Sequence, residues 1–139
     1  MQTSFTIRTS GPGIYDFTDQ VLHHVSNSDI ETGLLTLFVR HTSCSLLIQE
    51  NADPDVKRDL DAFFARLVPR ADDPSMDYLL HRQEGNDDMP AHIKAALTQT
   101  SLSIPVARAR PLLGTWQGIY LYEHRDQPHT REVVAHLSP

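Results

Sequence analysis

The chain predicts an α+β fold, a single compact domain with a largely antiparallel sheet and a few packed helices. Three observations carry that expectation. Several short stretches alternate apolar and polar residues with the period of a strand, and longer stretches space their apolar residues as a helix does. The two kinds mix without the regular strand–helix–strand alternation of a parallel sheet. The 139 residues, 40% hydrophobic and 22% charged, are enough for one globular core.

In chain order, residues 3–9 put Phe5 and Ile7 on one face and Ser4, Thr6 and Arg8 on the other, as a half-buried strand does. Gly11-Pro12-Gly13 ends it. Phe17, Val21, Leu22 and Val25 then fall at helical spacing from Asp16 to about Ser26. His23 and His24 sit side by side on that helix, about 100° apart, and read as surface or rim residues. Residues 34–40 are apolar on both faces, Leu35, Leu37 and Val39 against Leu34 and Phe38. Such a strand lies centrally in a sheet covered twice, or at a subunit interface. His41-Thr42-Ser43 follows, then a second strand from Cys44 to Glu50 in which Cys44 reads as a small buried hydrophobe.

Asn51-Ala52-Asp53-Pro54 starts a helix, with Asp53 as N-cap and Pro54 at the first helical position. Val56, Leu60, Phe63, Phe64 and Leu67 form its apolar stripe, and it ends before Pro69. A loop over 68–77 leads to Tyr78-Leu79-Leu80, which anchors the approach to His81. After His92 a helix continues through Ile93, Ala96 and Leu97. Residues 101–106 form a strand whose Pro105 marks an edge or bulge, and 107–113 form a turn or short strand. The segment 119–125 alternates as a strand, and 131–137 closes the chain as the last one.

Chemistry concentrates in His81–His92, a stretch too polar for a core and rich in ligand-type side chains. Gly85-Asn86 breaks the chain, Pro90 suits a first helical turn, and Asp88 or Met89 stands at the N-cap. Folding of this turn over the end of the strand that carries His41 would converge His41, His81 and His92 with the Asp87 carboxylate. Three imidazoles with an open position form the pattern of a catalytic zinc-type site; the same side chains can instead shuttle protons. His124 is a candidate fourth member, with a surface position the alternative, while His129 and His136 read as exposed or rim residues. Gly114-Thr115-Trp116-Gln117-Gly118 offers main-chain N–H groups, a hydroxyl and an amide suited to an anion, or else forms a tight strand connection with Trp116 in the core.

A formal charge of −6 argues against nucleic acid as the main partner, because phosphate binding needs a basic face. No apolar run approaches the roughly 20 residues of a membrane span. One cysteine cannot form an internal disulfide, which fits a cytoplasmic setting. Phosphate loops of the GxxxxGK[ST] and GxGxxG types, the GxSxG elbow and reactive-cysteine signatures are all lacking.

The blocks His41-Thr42-Ser43, Glu50 to Val56, His81, Glu84-Gly85-Asn86-Asp87, His92-Ile93-Lys94 and Leu113 to Gly118 resemble the YjbQ family, also labelled secondary thiamine-phosphate synthase. The resemblance spans most of the chain in the family's order. It implies a compact α+β fold assembling as a homotrimer, with a site around His41, His81 and His92 and with Asn51 and Asp53 nearby. The label implies a transferase that joins a phosphorylated thiazole to a pyrimidine pyrophosphate. The expected cofactor is a divalent metal ion of zinc or magnesium type on His41, His81 and His92, with Asp87 the fourth catalytic residue. The expected substrate contacts are Asn51, Asp53, Gly85, Asn86, Gly114, Thr115, Trp116 and Gln117. A non-catalytic trimer binding a metal or small ligand is the alternative. Gln99 and Ala109 stand where the family commonly has glycine, Pro111 where it has leucine and Cys44 where it has alanine, differences that bear on loop shape and substrate range.

Overall fold

Two antiparallel sheets share one core in the computed structural model, which describes residues 1–139. The elements are β1 (Gln2–Thr9), β2 (Gly13–Asp16), α1 (Thr18–Ser26), β3 (Thr32–Val39), β4 (Cys44–Glu50), α2 (Pro54–Leu67), α3 (Asp88–Leu97), β5 (Ser101–Ala107), β6 (Arg110–Pro111), β7 (Gln117–Glu123) and β8 (His129–Ser138). A single 3₁₀ turn spans Pro74–Met76. The five-stranded sheet has the order β1-β8-β3-β5-β6 and the three-stranded sheet the order β2-β7-β4.

Alternation builds the core. Phe5, Ile7, Leu35, Leu37, Val39, Ile104, Val133 and Leu137 project from the larger sheet onto Cys44, Leu46, Ile119 and Leu121 of the smaller one. Phe17, Val21 and Val25 of α1 join the same core. Each fully buried side chain of this kind contributes about 1.5–3 kcal/mol. Burial also pushes the Cys44 thiol up to about 12, so it behaves as the small hydrophobe expected.

Two expectations change here. The chain after Gly11-Pro12-Gly13 does not enter the helix directly: β2 first pairs with β7, and α1 begins at Thr18. Four residues are too few for periodicity to reveal such a strand. Secondly, β3 is central but is not covered twice within the chain. Leu35, Leu37 and Val39 are buried, whereas Leu34 and Phe38 are 43% and 48% exposed. The strand covered on both faces is β7. Its inner residues Ile119 and Leu121 enter the core, and on its outer face Phe64 of α2 meets the Tyr122 ring edge-on at 5.7 Å. The Lys57 ammonium lies 4.5 Å above the neighbouring Tyr120 ring.

Between α2 and α3 a small separate cluster of Val68, Ala71, Met76 and Leu79 holds the long loop. Of the three expected anchors only Leu79 is buried; Tyr78 and Leu80 face outward. The Arg82 guanidinium does the rest, donating to the carbonyls of Leu79 (2.9 Å), Ala71 (2.8 Å) and Met76 (2.7 Å). His81 is thereby fixed between an anchored residue and a clamped one.

Candidate functional site

The site forms where this loop meets the start of α3, at the Cys44–Glu123 end of the paired strands β4 and β7. The helix starts at Asp88, with Asp87 as its N-cap residue, one position earlier than an Asp88 cap would give. That shift matters. It puts Asp88 inside the helix and four residues before His92, so the two share a face. Gly85 makes the approach turn with a positive φ of 107°, and a Cβ there would lie 2.9 Å from an Asp87 carboxylate oxygen.

Asp88 is the hub. Its Oδ2 lies 2.5 Å from His81 Nε2 and 3.2 Å from His92 Nε2, and its Oδ1 lies 2.8 Å from the Arg125 guanidinium. One ligand atom from each of His81, Asp88 and His92 falls within 4.8 Å of the others. Asp88 is buried beneath the two partly exposed rings. Burial alone would raise the Asp88 carboxyl, but the His81 hydrogen bond and the charges of Arg125 and His92 hold it below the usual carboxylate range.

The His92 tautomer follows from its other contact. Nδ1 lies 2.9 Å from the Thr42 carbonyl, an acceptor only, so Nδ1 carries a proton. In the neutral ring the lone pair therefore sits on Nε2, facing the cluster. A backbone carbonyl orienting an imidazole in this way is the usual outer support of a metal ligand.

A buried charge network sits behind the hub. Asp87 Oδ2 accepts from Arg125 Nε (2.8 Å) and from the Asp126 N–H (2.9 Å). Burial alone would raise the Asp87 carboxyl, and those two bonds and the Arg125 charge lower it below its ordinary value. Glu123 and Arg131 form a bidentate pair at 2.5 and 2.7 Å, both side chains buried. Thr9 Oγ1 donates to this carboxylate, and Arg131 donates to Ser43 Oγ. The pair fixes the strand ends on which Thr42 and Arg125 stand.

The predicted residues divide accordingly. His81 and His92 are brought together, with Asp88 in the place expected for Asp87, whose carboxylate points instead at Arg125. His41 stands outside the three-residue cluster. Its Nε2 accepts the Glu132 N–H at 2.9 Å, and burial, followed by the Arg131 charge, lowers its pKa. His124 is 3% exposed, so it is no surface residue; its Nε2 meets Ser45 Oγ at 3.0 Å. Asp53 caps α2 as expected, its Oδ1 accepting the Asp55 N–H at 2.9 Å. The Asn86 carbonyl accepts the Ala71 N–H, which ties the approach turn to the small loop cluster.

The Gly114–Gly118 segment lies elsewhere. Register pairs Cys44 with Glu123 and Glu50 with Gln117, so this segment and the histidine cluster occupy opposite ends of the same two strands. Six residue steps separate them, roughly 20 Å. The Gln117 side chain accepts the Gly114 N–H at 2.7 Å, and Asn51 Nδ2 donates to the Thr115 carbonyl at 3.1 Å. Trp116 is 64% exposed, so it is not a core residue. Gly118 is required by packing: a Cβ would lie 2.7 Å from the Tyr120 hydroxyl.

Asp88, Arg125, Glu123 and Arg131 are the participants not assigned from the sequence. The Asp88-x3-His92 spacing was the available signal for the first, since i,i+4 residues meet on a helix. The others become visible only through strand register.

Fold and site together define a small single-domain α+β protein that holds a His–Asp–His cluster at one end of an antiparallel sheet. Residues 3–139 match the family described as UPF0047 protein YjbQ-like, and the chain belongs to that family. It is 53% identical over 137 residues to a UPF0047 protein of Synechocystis sp., covering 99% of this chain and 90% of the relative. It is 41% identical over 137 residues to UPF0047 protein YjbQ of Escherichia coli O157:H7, covering 98% and 96% of the two chains. Among solved structures, a YjbQ/UPF0047-family protein from Clostridium acetobutylicum superposes with a TM-score of 0.85 at 34% identity, covering 98% of this chain and 99% of that one. A hypothetical protein from Aeropyrum pernix K1 gives 0.87 at 28% identity, covering 99% and 98%.

Proposed function

We infer that His81, Asp88 and His92 bind a divalent metal ion and that the protein is a small-molecule enzyme of the thiamine-phosphate synthase type, a transferase acting on phosphorylated substrates. The observation that supports this most is the convergence of two imidazole nitrogens and a buried carboxylate oxygen within 4.8 Å. Two nitrogens and one oxygen suit zinc and similar divalent ions, and three protein ligands leave a position for substrate or water. A bound ion supplies Lewis acidity toward a phosphate or pyrophosphate oxygen. Arg125 and the His92–Thr42 contact keep the donors oriented, and the partly exposed rings leave the cluster open to small molecules.

The family resemblance and the exposed apolar residues support a homotrimer. Leu34, Phe38, Phe63, Leu67 and Leu80 are uncovered within one chain, and Leu80, beside His81, is 96% exposed. A phosphate held at the Gly114–Gly118 segment would reach a histidine cluster only across a subunit boundary. The single buried thiol suits the cytoplasm, and no helix is long and apolar enough to cross a membrane.

A second reading has its own observation. The 2.5 Å contact between His81 Nε2 and Asp88 Oδ2 is a hydrogen bond short enough for direct proton exchange, so the cluster would serve as a metal-free acid–base relay. Isothermal titration with zinc and magnesium separates the two. Ligand binding by these residues requires saturable uptake near one ion per chain, with Nε2 of both rings free of a proton. Absence of uptake leaves the acid–base relay. Sedimentation velocity tests the assembly, and a folded monomer at micromolar concentration rejects the trimer.

A further inference from the structure

α3 presents a second flank. Asp88 and His92 lie on one side, whereas Pro90 and Lys94 lie two positions further on, a rotation of roughly 200°. That second side borders a cavity of about 300 Å³ between α3, α2 and the Tyr122–His124 end of β7. The volume is at the small end for ligand cavities, which suits a small metabolite better than a nucleotide.

Its polar groups are unevenly satisfied. Arg70 is paired with Asp126 at 2.7 Å and Asp87 with Arg125 at 2.8 Å. The Lys94 ammonium and the Asp61 carboxylate, which line the same cavity and attract each other across it, have no ion-pair partner within 4.0 Å; the Tyr122 hydroxyl bonds to Asp61 and leaves its charge uncompensated. His124, which also lines the cavity, adds a buried group that lacks a partner. Its ring is buried against Tyr122, Nε2 meets Ser45, and Nδ1 has no hydrogen-bond partner. Buried polar atoms are nearly always bonded, so an orphan nitrogen on a residue that lines a cavity points to an absent partner, reached by a small rotation of the ring. Burial and then the Lys94 charge push the His124 pKa down to about 3, so the ring is neutral and offers one hydrogen bond rather than a second positive charge.

We propose that this cavity binds a small amino acid, its carboxylate on Lys94, its ammonium on Asp61 and a hydrogen bond at His124 Nδ1. A simple anion would satisfy Lys94 but face the Asp61 carboxylate; a simple amine would meet the reverse. A molecule with both charges complements both groups. This site does not depend on metal binding at His81, Asp88 and His92.

The chain has two lysines, Lys57 and Lys94, so the ε-CH₂ signals of ¹³C-labelled protein give one reporter in the cavity and one outside it. Glycine, L-alanine and 4-aminobutyrate, with acetate and methylamine as single-charge controls, are titrated at constant ionic strength. A chelator is present, so metal complexes of the amino acids play no part. At least one zwitterion should shift the Lys94 signal saturably in the millimolar range and leave Lys57 in place, at least about tenfold tighter than either control. Asp61→Asn should bring that ligand down to the affinity of acetate. Linear shifts, equal shifts at both lysines, equal affinity for acetate, or undiminished binding in Asp61→Asn would each overturn the proposal. Failure of the zinc titration would leave it standing.

Discussion

The two ends of β7 differ in what their polar groups are doing. At Glu123 the strand runs into buried charges: Glu123 on Arg131, then Arg125 on Asp87 and Asp88, with two partly open imidazoles above. At Gln117 the Gly114–Gly118 segment closes on itself through the Gln117 side chain and leaves Trp116 in solvent. The second end carries the more distinctive sequence and the first the more reactive geometry. A distinctive motif can record a packing demand, as Gly118 does beneath Tyr120, while the chemistry sits where buried charges hold lone pairs in place.

The largest way to test this contrast is to break the buried pair. Glu123→Gln leaves Arg131 uncompensated and should cost about 3–5 kcal/mol in urea unfolding. Acid should act on the same pair. Burial would raise the Glu123 carboxyl, but Arg131 and the Arg125 and Thr9 bonds bring it below its ordinary value. A carboxyl depressed on folding contributes stability above its unfolded pKa and loses it as pH falls through the folded pKa. Parent stability should therefore drop on acidification below the usual carboxylate range, and Glu123→Gln should show a smaller drop.

A smaller effect falls on the loop. Arg82→Met removes three hydrogen bonds from a charged donor and should cost about 1.5–3 kcal/mol. Because Arg82 holds the chain next to His81, zinc affinity should fall with stability, measurable by calorimetry alongside melting. At the opposite end of β7, Asp53→Ala should cost about 1 kcal/mol through loss of the cap and leave zinc affinity unchanged. A fall in metal binding there would bring the two ends together functionally.

The smallest effect is a gain away from both ends. Arg108 and Ala109 form the two-residue turn between β5 and β6 with φ of 54° and 56°. Both lie in the left-handed region, which explains why glycine is at home where this chain has Ala109. Ala109→Gly should stabilise the fold by roughly 0.5–1 kcal/mol, read as a higher Tm.

Much of the fold was legible because period and punctuation are local. β1 and β7 follow from alternation, β3 from a strongly apolar run, and the Asp53 cap of α2 from Asp-Pro at a helix start. The four-residue β2 was not legible, since its identity comes from pairing with β7. Within the site, His81 and His92 stood out by composition. Asp88 was hidden by one residue of helix boundary, and strand register decided that Gly114–Gly118 and the histidines lie apart within the chain. His41 looked like a ligand because it ends a buried strand; the Glu132 N–H that occupies its Nε2 comes from a strand 91 residues away.

The most direct measurement is zinc affinity by competition with a chromophoric chelator for the parent, Asp88→Asn, His92→Ala and His41→Ala, with near-UV circular dichroism confirming each fold. A unit made of His81, Asp88 and His92 requires Asp88→Asn and His92→Ala to lose at least about 100-fold in affinity, as removal of a direct ligand should, while His41→Ala stays within about twofold of the parent. Folded Asp88→Asn and His92→Ala proteins that hold zinc as the parent does, with affinity lost in His41→Ala, would contradict it.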